Sequence, residues 1–157
     1  IDPHTHLRLS GTYMGLNYVG PIDSTDPNGK PLKGLANREA VLSRLNSLAK
    51  DRTEAVVAWG YDPGMQDGHL DRDMLDEISS EVPIWVIAYA PHIIYTNTPM
   101  IERIGVDENT RVHGVGRYSD GRLNGWFVET EATALASGPV KKEVFGKGFG
   151  SSITEFL

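Results

Sequence analysis

Two short apolar runs, Glu54 to Gly60 and Ile84 to Tyr89, do most to limit how this chain can fold. Both are too short for a stable helix and read as buried strands, the first for its valines and the second because Pro83 breaks the chain just before it. Around them the spacing turns helical. Asn37 can cap a helix over about residues 38–50, with Val41, Leu42, Leu45, Leu48 and Ala49 on one stripe. Asp71 can cap a shorter helix that buries Met74, Leu75 and Ile78. Thr98 at N-cap, Pro99 at N1 and Gly105 at C′ delimit a third. Residues 111–118 and 122–129 alternate around Asp120-Gly121, the dipeptide of a tight hairpin, and Glu131 to Ala136 is Ala-rich and helical.

Strands and helices thus mix without the repeated βα alternation of a complete TIM barrel, and the 157 residues fall short of the roughly 250 such a barrel takes. The expected class is α+β, a largely antiparallel sheet with two or three helices packed on one face. The expected organisation is a start segment over 1–10 and an irregular loop over 11–36. An α+β domain over 37–138 and a Gly-rich tail over 139–157 complete it. The loop is dense in Gly and Pro and holds the turn Asp26-Pro27-Asn28-Gly29. Gly146, Gly148 and Gly150 alternate with Phe145 and Phe149 in the tail, which is either loose or docked through those aromatics.

Composition narrows the function. A net charge of −6 argues against nucleic acid and against a polybasic membrane contact. No segment approaches the roughly 20 apolar residues of a membrane span. With no cysteine, neither a disulfide nor a thiol nucleophile is available. Neither a P-loop nor a GxGxxG pattern is present, and no GxSxG elbow. An ordinary globular protein of the cytoplasm is expected. The first residue is not Met, which fits a piece of a longer polypeptide.

The chain opens Ile1-Asp2-Pro3-His4-Thr5-His6. In an extended strand alternate side chains share a face, so His4 and His6 would converge on one point. Two neutral imidazoles make half of a transition-metal site. The bland alternative is a pair of exposed histidines.

The segment "IDPHTHL" resembles the end of the first barrel strand in the amidohydrolase superfamily. Further stretches come in order: "AWGYDP" at 58–63, "LDRDMLDEIS" at 70–79, "VPIWVIAYAPHIIYTNTPMIERIGV" at 82–106 and "GRLNGWFVETEA" at 121–132. Together they are similar to the imidazolonepropionase-like and formamide-deformylase-like branch known as the amidohydrolase 3 family, over nearly all of residues 1–135. The resemblance implies a metal-dependent hydrolase of non-peptide C–N bonds, with a divalent metal, zinc by preference. The chain would then be the HxH strand end plus the α+β domain inserted over the active-site mouth, with the barrel itself absent. On that reading His4 and His6 are metal ligands and Glu129 is a further candidate. The catalytic aspartate and the remaining ligands would lie in the missing barrel half, which becomes a partner. The isolated chain would then be inactive and would hold little or no zinc.

Other residues stay open between two roles. His92, with Asn97 beside Thr98, either meets an amide-type substrate or satisfies backbone groups at a strand end. Trp59, Tyr61 and Asp62 either line the substrate cleft or pack in the core. Glu129 either stands beside the metal or starts the Ala-rich helix, where a negative charge is worth about 0.3–1 kcal/mol. His69 and His113 have no evident partner. The competing reading for the whole chain is a non-catalytic module that binds a small molecule or a protein. Apolar surface left uncovered could also make it a homodimer.

Overall fold

The computed structural model describes residues 13, 15–26, 28–142 and 144. His4 and His6, and the aromatic tail beyond Val144, lie outside the described residues. Six strands form the central sheet: β1 (Asn17–Tyr18), β4 (Val56–Tyr61), β5 (Ile84–Ala88), β6 (Ile93–Thr96), β7 (Val115–Arg117) and β8 (Leu123–Val128). They lie side by side in the order β1-β4-β5-β6-β8-β7. A separate antiparallel pair, β2 (Ser24–Thr25) and β3 (Pro31–Leu32), stands apart from it. β1, β4 and β5 run parallel, whereas β6, β8 and β7 join antiparallel. The helices are α1 (Arg38–Ala49), α2 (Arg72–Ile78), α3 (Thr98–Ile104) and α4 (Glu129–Ser137), the last continuing into a 3-10 turn at Gly138–Val140. None among the described residues is long and apolar enough to cross a membrane.

The α+β class holds, but the helices divide between the two faces of the sheet instead of sharing one. The reason lies in β4 and β5, which are apolar at nearly every position rather than at alternate ones. Such strands need cover on both sides. Val56, Ala58, Ile84 and Val86 pack with Val41 and Leu45 of α1 and Leu75 of α2. Val57, Trp85, Ile87 and Ile94 pack with Met100 of α3 and Ala132 and Ala136 of α4. Each such Val, Leu or Ile contributes about 1.5–3 kcal/mol by leaving water. The alanines of α4 let it sit close enough for the Trp85 indole to donate to the Ala136 carbonyl at 3.0 Å.

Val140 and Val144, the start of the expected tail, are buried in the cluster that holds the α4 alanines. Two further details depart from the expectations drawn from sequence. Asn17 and Tyr18, expected within an irregular loop, extend the sheet beside β4. Asn97, not Thr98, caps α3, its side chain accepting from the Met100 N–H. Thr98 instead ties α3 to α2: its hydroxyl donates to one oxygen of Asp76 at 2.6 Å and its N–H to the other at 2.7 Å.

A bulge in β4 re-aims the side chains at the end of that strand. Trp59 pairs with Ile87 and Tyr61 with Ala88, so Gly60 is an extra residue on its strand. Residues two apart on a regular strand share a face. Here Trp59 packs toward the α3–α4 side and Tyr61 toward the α1–α2 side. Gly60 has φ +96°, and a Cβ there would lie 2.8 Å from the Tyr18 ring. Only glycine takes that conformation without strain while letting Tyr18 approach so closely.

Candidate functional site

In sheets with parallel strands the loops at the carboxyl ends make the natural crevice, above all where the strand order changes direction. Here β1, β4 and β5 end together, and the β5–β6 turn lies at the same edge. A cleft of about 850 Å³ opens there, lined by Tyr18, Trp59, Asp62, Tyr89 and His92 among others. Its size falls in the usual range for small-molecule sites. Ile22, Met65 and Tyr89, the large apolar side chains most exposed among the described residues, sit one in each of the three loops that follow the parallel strands.

Trp59 packs at 5.0 Å from the Tyr18 ring. Its indole N–H is buried without an acceptor among the described residues, a condition that costs about 1–3 kcal/mol unless a water or a ligand answers it. The Tyr18 hydroxyl donates to the Ile22 carbonyl at 2.6 Å. Burial raises the pKa of Tyr18, the Ile22 hydrogen bond opposes that, and the neighbouring Tyr89 and Asp23 add to the rise. Asp23 is held below the usual carboxylate range by its hydrogen bond from Lys33 and then by the Gly34 N–H.

Asp62 is set by a locked loop. Its Oδ1 accepts from the Gly64 N–H at 2.8 Å and the Met65 N–H at 3.3 Å. Its own N–H donates to the buried Gln66 side chain at 2.9 Å. Gln66 Nε2 in turn donates to the carbonyls of Val19 and Leu35 at 3.0 and 2.7 Å. Gln66 was missed by sequence reasoning, because a lone Gln in a Gly-rich turn carries no local signal of burial. The far end of this loop is fixed by the Trp126 indole, which donates to the Leu70 carbonyl at 2.5 Å. His69, for which the sequence suggests no partner, has Nδ1 2.7 Å from the Tyr95 hydroxyl and packs at a tilt against the Trp126 ring, 4.7 Å between centroids.

His92 and Glu129 come together. β8 runs antiparallel to β6 and places Val128 opposite Ile93, so the residues just outside that pair meet at the sheet's end. The Glu129 N–H donates to the His92 carbonyl at 2.8 Å, and the His92 Nδ1 lies 3.3 Å from a Glu129 carboxylate oxygen. Both side chains are exposed. Glu129 also has φ 64°, a left-handed conformation that costs a non-glycine residue roughly 1–3 kcal/mol and collects at functional positions. Behind it Gly114, φ +85°, lets the Val128 carbonyl in where a Cβ would stand 1.9 Å away.

Asn97 does not join this group. It is buried and both faces of its amide are in use. Its oxygen accepts from the N–H groups of Ile84 at 2.8 Å and Met100 at 3.3 Å, and its nitrogen donates to the carbonyls of Ser79 and Val82, each at 2.9 Å. Its hydrogen-bonding capacity is filled. The expected contact with substrate is therefore corrected to a structural clamp between β5 and α3.

Among the described residues no three His, Cys, Asp or Glu side chains gather as a metal site. His92 and Glu129 are of ligand type but make only a pair.

No family model matches the chain. Lecithin retinol acyltransferase from Bos taurus is 30% identical over 78 residues, which cover 46% of this chain and 34% of that protein. Two crystal structures share the fold. An uncharacterized metal-dependent hydrolase from Pyrococcus horikoshii OT3 aligns with TM-score 0.59 and 15% identity, covering 91% of this chain and 24% of that one. An uncharacterized metal-dependent hydrolase from Pyrococcus furiosus aligns with TM-score 0.57 and 14% identity, covering 99% and 27%. The chain thus spans about a third of the curated relative and about a quarter of each hydrolase.

Proposed function

We propose that the chain is a section of a metal-dependent hydrolase acting on non-peptide C–N bonds, and that its cleft forms part of the substrate-binding wall. The observation that carries this reading is a conjunction: a fold shared with segments of two metal-dependent hydrolases, in a chain that carries the pair His4-Thr5-His6. His4 and His6 would hold the divalent ion, zinc being the first choice for imidazole ligands, and the ion would polarise the scissile carbonyl. The described residues do not complete a metal centre, so the remaining ligands and the proton-transferring group would come from elsewhere in the enzyme. His92 and Glu129, at the cleft's edge, would hold substrate or order the groups that do.

The test uses the native polypeptide that contains the chain. Metal content by mass spectrometry and hydrolysis of simple formamides and N-acyl amines should both fall sharply in the His4→Ala/His6→Ala double variant. Unchanged metal content in that variant would overturn the assignment.

A further inference from the structure

Charge and aromaticity are distributed unevenly around the cleft. Among its described lining residues are the rings of Tyr18, Trp59 and Tyr89 and the carboxylates of Asp23 and Asp62, but no Lys or Arg. Asp23 is already answered by the Lys33 ammonium at 2.8 Å. Asp62 is not: two backbone N–H groups hold its Oδ1, and its Oδ2 has no partner among the described residues. His92, the lining side chain able to carry a positive charge, has its ring nitrogen turned to Glu129. The Tyr18 hydroxyl donates its proton to the Ile22 carbonyl, so what remains of it for a ligand is the ring and an oxygen that can only accept, which again favours a cation. Tyr89 is left 61% exposed at the rim.

Aromatic faces attract cations through their quadrupole, and a fixed carboxylate adds a full charge of the same preference. An anion would meet two carboxylates, with no Lys or Arg among the described lining residues and only His92, already turned to Glu129, to answer it. The geometry points to an organic ammonium ion, an amine or quaternary nitrogen on a compact apolar body, as the ligand of this cleft. Its charged end sits against Asp62 Oδ2 and its methyl or methylene groups lie against Trp59 and Tyr89. The inference rests on the cleft's role in substrate binding for its biological meaning, and it narrows the substrates to those carrying a positive charge.

Choline, its neutral isostere 3,3-dimethylbutan-1-ol and the anion 3,3-dimethylbutanoate separate charge from shape. Titrated into the chain and followed by indole fluorescence and calorimetry, choline should bind at least about fivefold more tightly than the alcohol, with the carboxylate weakest. Asp62→Asn and Tyr89→Leu should each weaken choline roughly three- to tenfold and leave the alcohol unchanged, while Tyr89→Phe should retain choline binding. Circular dichroism establishes that each variant is folded. Equal binding of the three probes overturns the charge assignment while leaving the cleft standing as a binding site. Choline affinity unaltered in both Asp62→Asn and Tyr89→Leu overturns the location. The metal-content test on His4 and His6 can fail without touching either result.

Discussion

The His92 imidazole and the Glu129 carboxylate lie 3.3 Å apart across 37 residues of sequence, because β6 and β8 pair so that one ends where the other begins. The contact involves the strained backbone of Glu129, and that strain can be measured. Glu129→Gly removes the cost of φ 64° but also a favourable charge in the first turn of α4. Stability to urea should stay level or rise by up to about 1 kcal/mol. A loss beyond that would show that the carboxylate contributes more to the fold than its backbone takes away.

Asn97 should behave as a clamp. Asn97→Ala leaves the N–H groups of Ile84 and Met100 and the carbonyls of Ser79 and Val82 without partners, and removes the cap of α3. The expected loss is about 3 kcal/mol in urea denaturation, enough to leave much of a marginal domain unfolded. Full stability together with lost ligand binding would return Asn97 to the substrate.

Gly60→Ala should damage both stability and the cleft. The new Cβ is strained by φ +96° and meets the Tyr18 ring at 2.8 Å. A loss of roughly 1–3 kcal/mol is expected, with altered Trp59 fluorescence as Tyr18 is pushed aside. An unchanged spectrum and melting curve would mean that the bulge tolerates a side chain.

Alkaline pH should destabilise the fold over a defined window. Burial pushes Tyr61 up to about 12, and Tyr95 moves in the same direction. The folded state therefore keeps protons that the unfolded chain releases near pH 10. The stabilisation is complete below pH 10 and is lost as pH rises from there through about 12. Urea midpoints should be flat to about pH 9 and then fall, less steeply in Tyr61→Phe. A midpoint that climbs with pH over this range would contradict the sign.

Local signals were legible wherever one residue does one job. Asn37 and Asp71 cap helices as their positions suggest, Gly105 closes α3 with φ +81°, and Asp120-Gly121 turns the β7–β8 hairpin. What escaped depends on distant partners. β6 is four residues long and comes directly after the Pro91-His92 turn, so no periodicity announces it. The bulge at Gly60 reads as an unremarkable strand glycine until β5 is alongside. Among the site candidates Trp59, Asp62 and His92 meet at one cleft, with Glu129 in contact with His92, while Asn97 turned inward. An Asn ahead of a helix is equally suited to a ligand and to a cap, and only burial separates the two.

The described sheet tapers at both sides, to the two residues of β1 and the three of β7. Ribbons that short offer a foreign chain few unpaired amides to zip onto. Runaway stacking into fibrils is correspondingly discouraged, so when molecules of this protein stick to one another the greasy rim around Ile22, Met65 and Tyr89 is where adhesion should begin.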